Sequence, residues 1–175
     1  MSDRSPAPRR SRLTLEGLER TSHRTFMRAL GLDEAAMAKP FVGVMSTHGE
    51  NTPCSLSLRP QAEAAKLGVA AAGGTPFEFT TISVSDGVSM GHRGMRMSLL
   101  SRELIADSIE LVMRGHAYDA LVGFAGCDMS TVGARSATRC AFRWAAAGRS
   151  KCPARSPRSG TRTAGRGTAG TSAAG

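Results

Sequence analysis

The chain has 175 residues, which suits one domain of ordinary size and is too short for two. Apolar residues make up 41% of it, and no apolar run approaches the length of a membrane span, which excludes a transmembrane helix. The basic N-terminus has no apolar run behind it, so we expect no secretory signal, and four cysteines without such a signal argue against a disulfide framework.

The net charge of +9 is concentrated at one end of the chain. Residues 1–128 contain 14 Lys or Arg and 14 Asp or Glu, whereas residues 129–175 contain nine Lys or Arg and no acid. This tail has no Leu or Ile and consists mainly of Ala, Gly, Arg, Ser and Thr. It can bury too little apolar surface to offset its ordering entropy, so we expect a disordered basic tail. Either it is an arm that binds nucleic acid or it is GC-rich DNA translated in a shifted frame.

The first half of the chain predicts one disordered segment, two helices and a strand. Residues 1–12 are a Pro- and Arg-rich lead that we expect to be disordered. Apolar positions at helical spacing predict a helix over 14–31, and the short apolar run FVGVMST predicts a buried strand over 41–47. An Ala-rich stretch predicts a second helix over 57–72.

The second half repeats the order of strand, loop and helix. The alternating, β-branched and aromatic run PFEFTTIS predicts a strand over 76–83. A broad apolar face predicts a long helix over 95–115, and DALVGFA predicts a third strand over 119–125. Strands that alternate with helices favour a parallel sheet with right-handed crossovers. We therefore expect an α/β fold, a partial parallel sheet with flanking helices over residues 13–128.

Three loops leave the carboxyl ends of these strands, which is where open parallel sheets bind ligands. Because parallel strands end at one edge, the three loops share a rim, and two thiols and two carboxylates can converge there. Thiolates suit iron–sulfur clusters and soft metals, whereas carboxylates suit Mg²⁺. The polar residues of the three loops are His48, Glu50, Asn51, Cys54, Asp86, His92, Cys127 and Asp128.

Each of these residues also has a plainer interpretation. Cys54 follows a proline in a polar loop, where a single cysteine is often an inert thiol. Asp86 before a glycine is typical of a turn, and Asp128 could cap a following helix. His48 and His92 have no partner that the sequence identifies.

At these loops the sequence resembles the dihydroxy-acid dehydratase family, which includes sugar-acid and phosphogluconate dehydratases. The matching segments are VGVMSTHGENTPCSLSL and GGTPFEFTTISVSDGVSMGHRGMRMSLLSRELIADSIELVMRGHAYDALVGFAGCD. The resemblance covers about residues 14–128. It implies the N-terminal part of a dehydratase α/β domain, since family members are several hundred residues long.

The resemblance also implies roles for four residues. Cys54 and Cys127 are expected to be two of three ligands of an iron–sulfur cluster (2Fe–2S or 4Fe–4S), and Asp86 and Asp128 are expected to bind Mg²⁺. The family has a lysine after the second aspartate, where this chain has Met129. The resemblance and the composition change at the same residue, which favours a frameshift after residue 128. Cys140 and Cys152 in the tail are not expected to supply the third cluster ligand.

The implied reaction is the dehydration of a 2,3-dihydroxy acid to a 2-keto acid, in the synthesis of valine and isoleucine. In the family the base is a serine in the C-terminal half, which this chain does not contain, so we expect an inactive fragment. The alternatives are a sugar-acid (aldonate or 6-phosphogluconate) dehydratase, a non-catalytic remnant and a basic-tail nucleic-acid binder. We further expect a cytoplasmic location, no membrane partner and, for the full-length family member, a homodimer.

Overall fold

A parallel sheet of three strands forms the centre of the computed structural model, which describes residues 9–127, 130–131 and 133–135. The strands are β1 (Phe41–Ser46), β2 (Thr75–Thr80) and β3 (Ala120–Phe124). Their order is β2–β1–β3, and β1 pairs in parallel with both neighbours. The expected parallel α/β arrangement with flanking helices is confirmed for the described residues.

Helices precede the sheet and connect its strands. The longest, α7, has the bounds predicted from the sequence, and α5 begins and ends within one residue of its predicted bounds. The helices are α1 (Arg12–Leu15), a 3₁₀ turn (Leu18–Arg20), α2 (Thr21–Ala29), α3 (Glu34–Met37), α4 (Pro53–Leu56), α5 (Leu58–Ala71), α6 (Asp86–Ser89) and α7 (Met95–Gly115).

The single helix predicted over 14–31 is wrong, because the chain breaks there into two helices and a 3₁₀ turn. Gly17 lies between them with a φ of +98°, in the region that side-chain-bearing residues rarely adopt. The apolar spacing of this stretch continues across the break, so periodicity alone did not reveal it.

Helices α5 and α7 cover opposite faces of the sheet. A Cβ at Gly43 of β1 would lie 2.9 Å from the Met113 sulfur of α7. The neighbouring Val42 points the other way, and a Cβ at Gly74 would lie 3.2 Å from Val42 and 3.0 Å from Val69 of α5. Adjacent strand residues face opposite sides, so the two crossovers enclose the sheet between them.

The core lies between the sheet and α7. Phe41 and Met45 of β1 are fully buried, as are Ile105 and Ile109 of α7. Tyr118 closes the cluster at the start of β3, and its ring stacks on Phe77 at a centroid distance of 5.1 Å. This apolar layer fixes α7 against the strands that lead into the three loops.

Residues 9–12 are ordered in the structure, so the disordered lead expected over 1–12 is wrong for this part. Ser11 is 1% exposed, and its N–H donates to Asp119 Oδ1 at 3.0 Å. The other oxygen of Asp119 accepts from the Phe41 N–H at 2.8 Å. One carboxylate thereby joins the N-terminal segment to the beginnings of β1 and β3. Residues 1–8 lie outside the described part of the chain.

The disordered tail was predicted to start at residue 129, but the residues directly after that point are partly helical. Residues 130, 131 and 133–135 have helical backbone conformation. Ser130 is fully buried, and a Cβ at Gly133 would lie 2.7 Å from the Arg102 carbonyl oxygen of α7. This segment therefore packs against the sheet domain, although its composition is that of the tail. The remaining tail, residues 136–175, lies outside the described residues.

None of the helices in the described part of the chain is long and apolar enough to cross a membrane.

Candidate metal and substrate site

The three loops begin at the same edge of the sheet, as the topology requires. Beyond the strands, the Thr47 N–H donates to the Phe124 carbonyl at 3.1 Å, and the Thr81 N–H donates to the Ser46 carbonyl at 3.1 Å. These bonds hold the ends of all three strands level. The residues that follow each strand therefore start from one rim.

Cys54 lies in the first loop, in the single helical turn α4. Pro53 occupies the first turn of α4, where its missing N–H leaves no helical bond unmade. Thr52 precedes it in extended conformation, and the Ser55 N–H donates to the Thr52 carbonyl at 3.0 Å. The turn leaves the Cys54 thiol exposed.

Asp86 and Cys127 meet across the second and third loops. Asp86 begins α6 and is half-buried, and Cys127 is 7% exposed directly after β3. The Cys127 thiol donates to Asp86 Oδ1 at 3.4 Å, and the same oxygen accepts from the Gly87 N–H at 3.0 Å. A thiol and a carboxylate 41 positions apart in sequence thus contact each other directly.

Gly126 brings the third loop against the first. A Cβ at this position would lie 1.9 Å from the carbonyl oxygen of Cys54, a separation that no real side chain tolerates. Only glycine lets the two backbones approach so closely. The role of Gly126 was not predicted from the sequence, although its place directly before Cys127 was the available signal.

Three further contacts link or shape the loops. Asn51 Nδ2 donates to the Ser83 carbonyl at 2.7 Å, which ties the first loop to the second. His48 Nδ1 lies 3.1 Å from Ser46 Oγ, and His92 Nδ1 accepts from the Gly94 N–H at 3.0 Å. Both histidines are therefore held by residues close to them in sequence.

Two buried hydroxyl groups, not predicted from the sequence, lie in the first loop. Thr47 is fully buried and Thr52 is 1% exposed, and neither side-chain oxygen has a hydrogen-bond partner among the described residues. Although Thr52 occupies the N-cap position of α4, its hydroxyl does not cap the helix. A buried hydroxyl without a partner costs about 1–3 kcal/mol, so these groups are typical of a site that receives another molecule.

The donor chemistry fits the expected cofactors in part. Cys54, Asp86 and Cys127 come from three separate loops to the same rim, two thiols and one carboxylate. Within residues 9–127, 130–131 and 133–135, however, no three His, Cys, Asp or Glu side chains are grouped closely enough to hold a metal ion. The fourth expected ligand, Asp128, and the tail residues Cys140 and Cys152 lie outside the described residues.

The sequence of the chain matches a known family model and several curated proteins. Residues 39–142 match the model described as dihydroxy-acid/6-phosphogluconate dehydratase N-terminal. Dihydroxy-acid dehydratase 2 of Bordetella bronchiseptica is 69% identical over 119 residues, 68% of this chain and 21% of the relative. Dihydroxy-acid dehydratase 3 of Bradyrhizobium diazoefficiens is 61% identical over 124 residues, 71% of this chain and 21% of the relative.

The matches show how much of its relatives the chain covers and where the family-like sequence ends. The chain spans about a fifth of the length of the curated relatives that it matches. The family match extends to residue 142, past residue 128 where the resemblance was expected to end. Residues 130, 131 and 133–135 also have helical backbone conformation, so the end of family-like sequence lies later than the change in charge.

Proposed function

Because the chain belongs to the dihydroxy-acid/6-phosphogluconate dehydratase family, we propose that it supplies the N-terminal part of the active site of a dihydroxy-acid dehydratase. The reaction is the loss of water from a 2,3-dihydroxy acid to give a 2-keto acid, a step in branched-chain amino-acid synthesis. The observation that carries this proposal is the contact of Cys127 with Asp86 at the rim that also holds Cys54.

The ligand types suit an acid-assisted removal of water. An iron–sulfur cluster bound by Cys54 and Cys127, with Mg²⁺ bound by Asp86 and Asp128, would supply Lewis acidity toward the departing hydroxyl and toward the substrate carboxylate. Thiolates prefer iron–sulfur clusters and carboxylates prefer Mg²⁺, so the mixed donors at this rim suit two different metal centres. One centre would act on the departing hydroxyl and the other on the substrate carboxylate.

The chain's own residues prepare this rim. Gly126 holds Cys127 next to the first loop, and Asn51 fixes the first loop to the second. The hydroxyls of Thr47 and Thr52 lie buried at the first loop, without a hydrogen-bond partner among the described residues.

The chain covers about a fifth of its relatives, so the complete activity is proposed for the longer protein. The resemblance assigns the base to a serine in the C-terminal half of family members. The proposal further includes a cytoplasmic homodimer that acts on a small-molecule substrate.

A second candidate is dehydration of a sugar acid, because the matching family model covers 6-phosphogluconate dehydratases as well. The two reactions differ in the rest of the substrate and share the carboxylate and the two hydroxyls that react. Residues at the rim are therefore expected to serve both.

A chimera provides the test. In it, the 119 matched residues of this chain replace their counterparts in the Bordetella bronchiseptica relative. We expect dehydration of 2,3-dihydroxyisovalerate, with little or no turnover of gluconate or 6-phosphogluconate. The reverse preference would favour the sugar-acid candidate, and loss of both activities in a folded, iron-loaded chimera would contradict the proposal.

Substitutions at the rim separate cluster binding from catalysis. Cys54→Ser and Cys127→Ser are expected to lower iron and sulfide content and visible absorbance as well as activity. Asp86→Asn is expected to lower activity and to leave the iron content unchanged. His92→Asn is the control and should retain both properties, since the hydrogen bond of His92 to the Gly94 N–H lies within its own loop.

A further inference from the structure

Helix α7 carries a second apolar face, opposite the one that packs on the sheet. Its buried side includes Ile105, Ile109 and Met113. Met97, Leu100, Leu104 and Leu111 repeat at spacings of three, four and seven residues and are 52%, 56%, 54% and 73% exposed. We call these four residues the leucine stripe.

The spacing of the leucine stripe is that of a helix-packing seam. Residues three, four and seven apart lie on one line along a helix, and a narrow apolar line of this kind normally packs against a partner element. A helix with apolar residues on two opposite sides is typical of one that is buried on both sides. The described part of the chain covers only one of them.

The stripe lies mostly beyond the sheet, on the side of the candidate site. Met113 contacts Gly43 near the start of β1, whereas Ser108 Oγ lies 2.6 Å from Thr81 Oγ1, just past the end of β2. A helix rises about 1.5 Å per residue, so the part before residue 108 extends past the rim. Leu100 and Leu104 therefore lie on the overhang that borders the site loops.

We propose that the leucine stripe is the docking surface for the rest of a dehydratase chain, the part that lies outside the segment matched here. The curated relatives are about five times as long as the segment they share with this chain, so a large body must pack somewhere on this segment. The stripe is an extended apolar line, and its position lets the docked part complete the rim beside Cys127. The proposal rests on the family membership and not on the proposed reaction.

Chemical labelling distinguishes an open stripe from a covered one. Leu104→Cys in the 175-residue chain is expected to react with a maleimide at a rate within about threefold of that in denaturant, read by mass spectrometry of its peptide. In the folded chimera with the Bordetella bronchiseptica relative, the same cysteine is expected to react at least about tenfold more slowly. Equal rates in chain and chimera would overturn the proposal.

A second copy of the chain is the competing occupant. It predicts that labelling of Leu104→Cys in the isolated chain slows as protein concentration rises, with a dimer in sedimentation equilibrium. That outcome would overturn the proposal, because the stripe would then be covered without any longer partner.

Association of separate chains supplies an independent measurement. A tagged 175-residue chain is co-expressed with the Bordetella bronchiseptica relative lacking its 119 matched residues. We expect co-purification that Leu100→Glu with Leu104→Glu lowers at least about tenfold, whereas the control Leu67→Glu, 75% exposed on α5, lowers it less than about twofold. Co-purification that is absent, or indifferent to the stripe, overturns the proposal. A complex that forms without dehydratase activity would contradict only the proposed function.

Discussion

At the scale of single residues, the site depends on the approach of two backbones. Gly126 lies against the Cys54 carbonyl, and Cys127 follows at once with its thiol on Asp86. The two cysteines are 73 positions apart in sequence, and the approach of their loops depends on the absence of a side chain at residue 126. The residue that lets the loops approach is therefore not one of the expected ligands.

Replacing Gly126 by alanine is expected to destabilise the fold. The new methyl group would overlap the Cys54 carbonyl, so the loops must separate at a cost of about 1–3 kcal/mol. Urea unfolding of purified protein measures this change. The control is Gly68→Ala in α5, where a Cβ meets nothing within 4 Å and a stabilisation of about 0.5–1 kcal/mol is expected. Equal effects of the two substitutions would show that the contact at residue 126 is unimportant.

Asp119 links parts of the chain that are distant in sequence, because its carboxylate accepts hydrogen bonds from the N-terminal segment and from β1. Asp119→Ala removes the acceptor of the Ser11 and Phe41 N–H groups, and we expect a loss of about 3 kcal/mol in the free energy of unfolding. Limited proteolysis should then cut the N-terminal segment sooner. Asp119→Asn keeps one acceptor oxygen and should lose about half as much. An alanine variant as stable as the original would contradict the linking role.

At the scale of elements, the pattern of apolar residues predicted the strands and α7 well. All three strands were predicted because β-branched and aromatic runs are short and bounded by polar loops, and Gly115 marked the end of α7. The break at Gly17 and the packing of Ser130 and Gly133 were not predicted. Both depend on a backbone conformation or a neighbour distant in sequence, which local periodicity does not contain.

The common rim of the three loops was predicted from the parallel strands, whereas the cluster and metal roles of Cys54, Asp86 and Cys127 stay predictions. At that rim Cys127 contacts Asp86, but the described residues contain no group of three such side chains close enough to hold a metal ion. The prediction for Asp128 stays open, since that residue lies outside the described part. The orphaned hydroxyls of Thr47 and Thr52 could not be predicted, because burial without a partner is a property of the packed structure alone.

Helix α7 provides a matched pair of substitutions that tests its two faces. Ile109→Ala removes a fully buried side chain from the core and is expected to cost about 2–5 kcal/mol of folding free energy. Leu111→Ala, two residues on and 73% exposed, should change stability by less than about 0.5 kcal/mol in the isolated chain. Thermal or urea unfolding measures both changes. A large loss of stability in Leu111→Ala would mean that the leucine stripe is already covered in the isolated chain.

At the scale of the whole molecule, the described residues form a body with open sides. The strands β2 and β3 are both edges of the described sheet, and an edge strand presents backbone N–H and C=O groups that a further strand can pair with. The leucine stripe adds a third uncovered surface. These features and the match to a fifth of longer relatives are consistent with a segment that evolved as part of a larger body.

The free energy of unfolding of the chain is expected to fall at alkaline pH. Burial raises the pKa of Tyr118 above its ordinary 10.0, and hydrogen bonds to Glu78 and then to Glu63 raise the pKa of Lys66 above 10.5. A raised pKa means that folding favours the protonated form. The contribution of each group is therefore complete below about pH 10 and is lost as the pH rises through its folded-state value.

Urea unfolding at a series of pH values from about 8 to about 11 measures this loss. Tyr118→Phe keeps the ring that stacks on Phe77 and removes the ionisable group, so its stability should decline less steeply above about pH 10. Lys66 remains in that variant and is 28% exposed, so its ion pairs with Glu63 and Glu78 should contribute only a modest remaining slope. Identical slopes for the original chain and Tyr118→Phe would show that burial of the phenol does not control the alkaline limit.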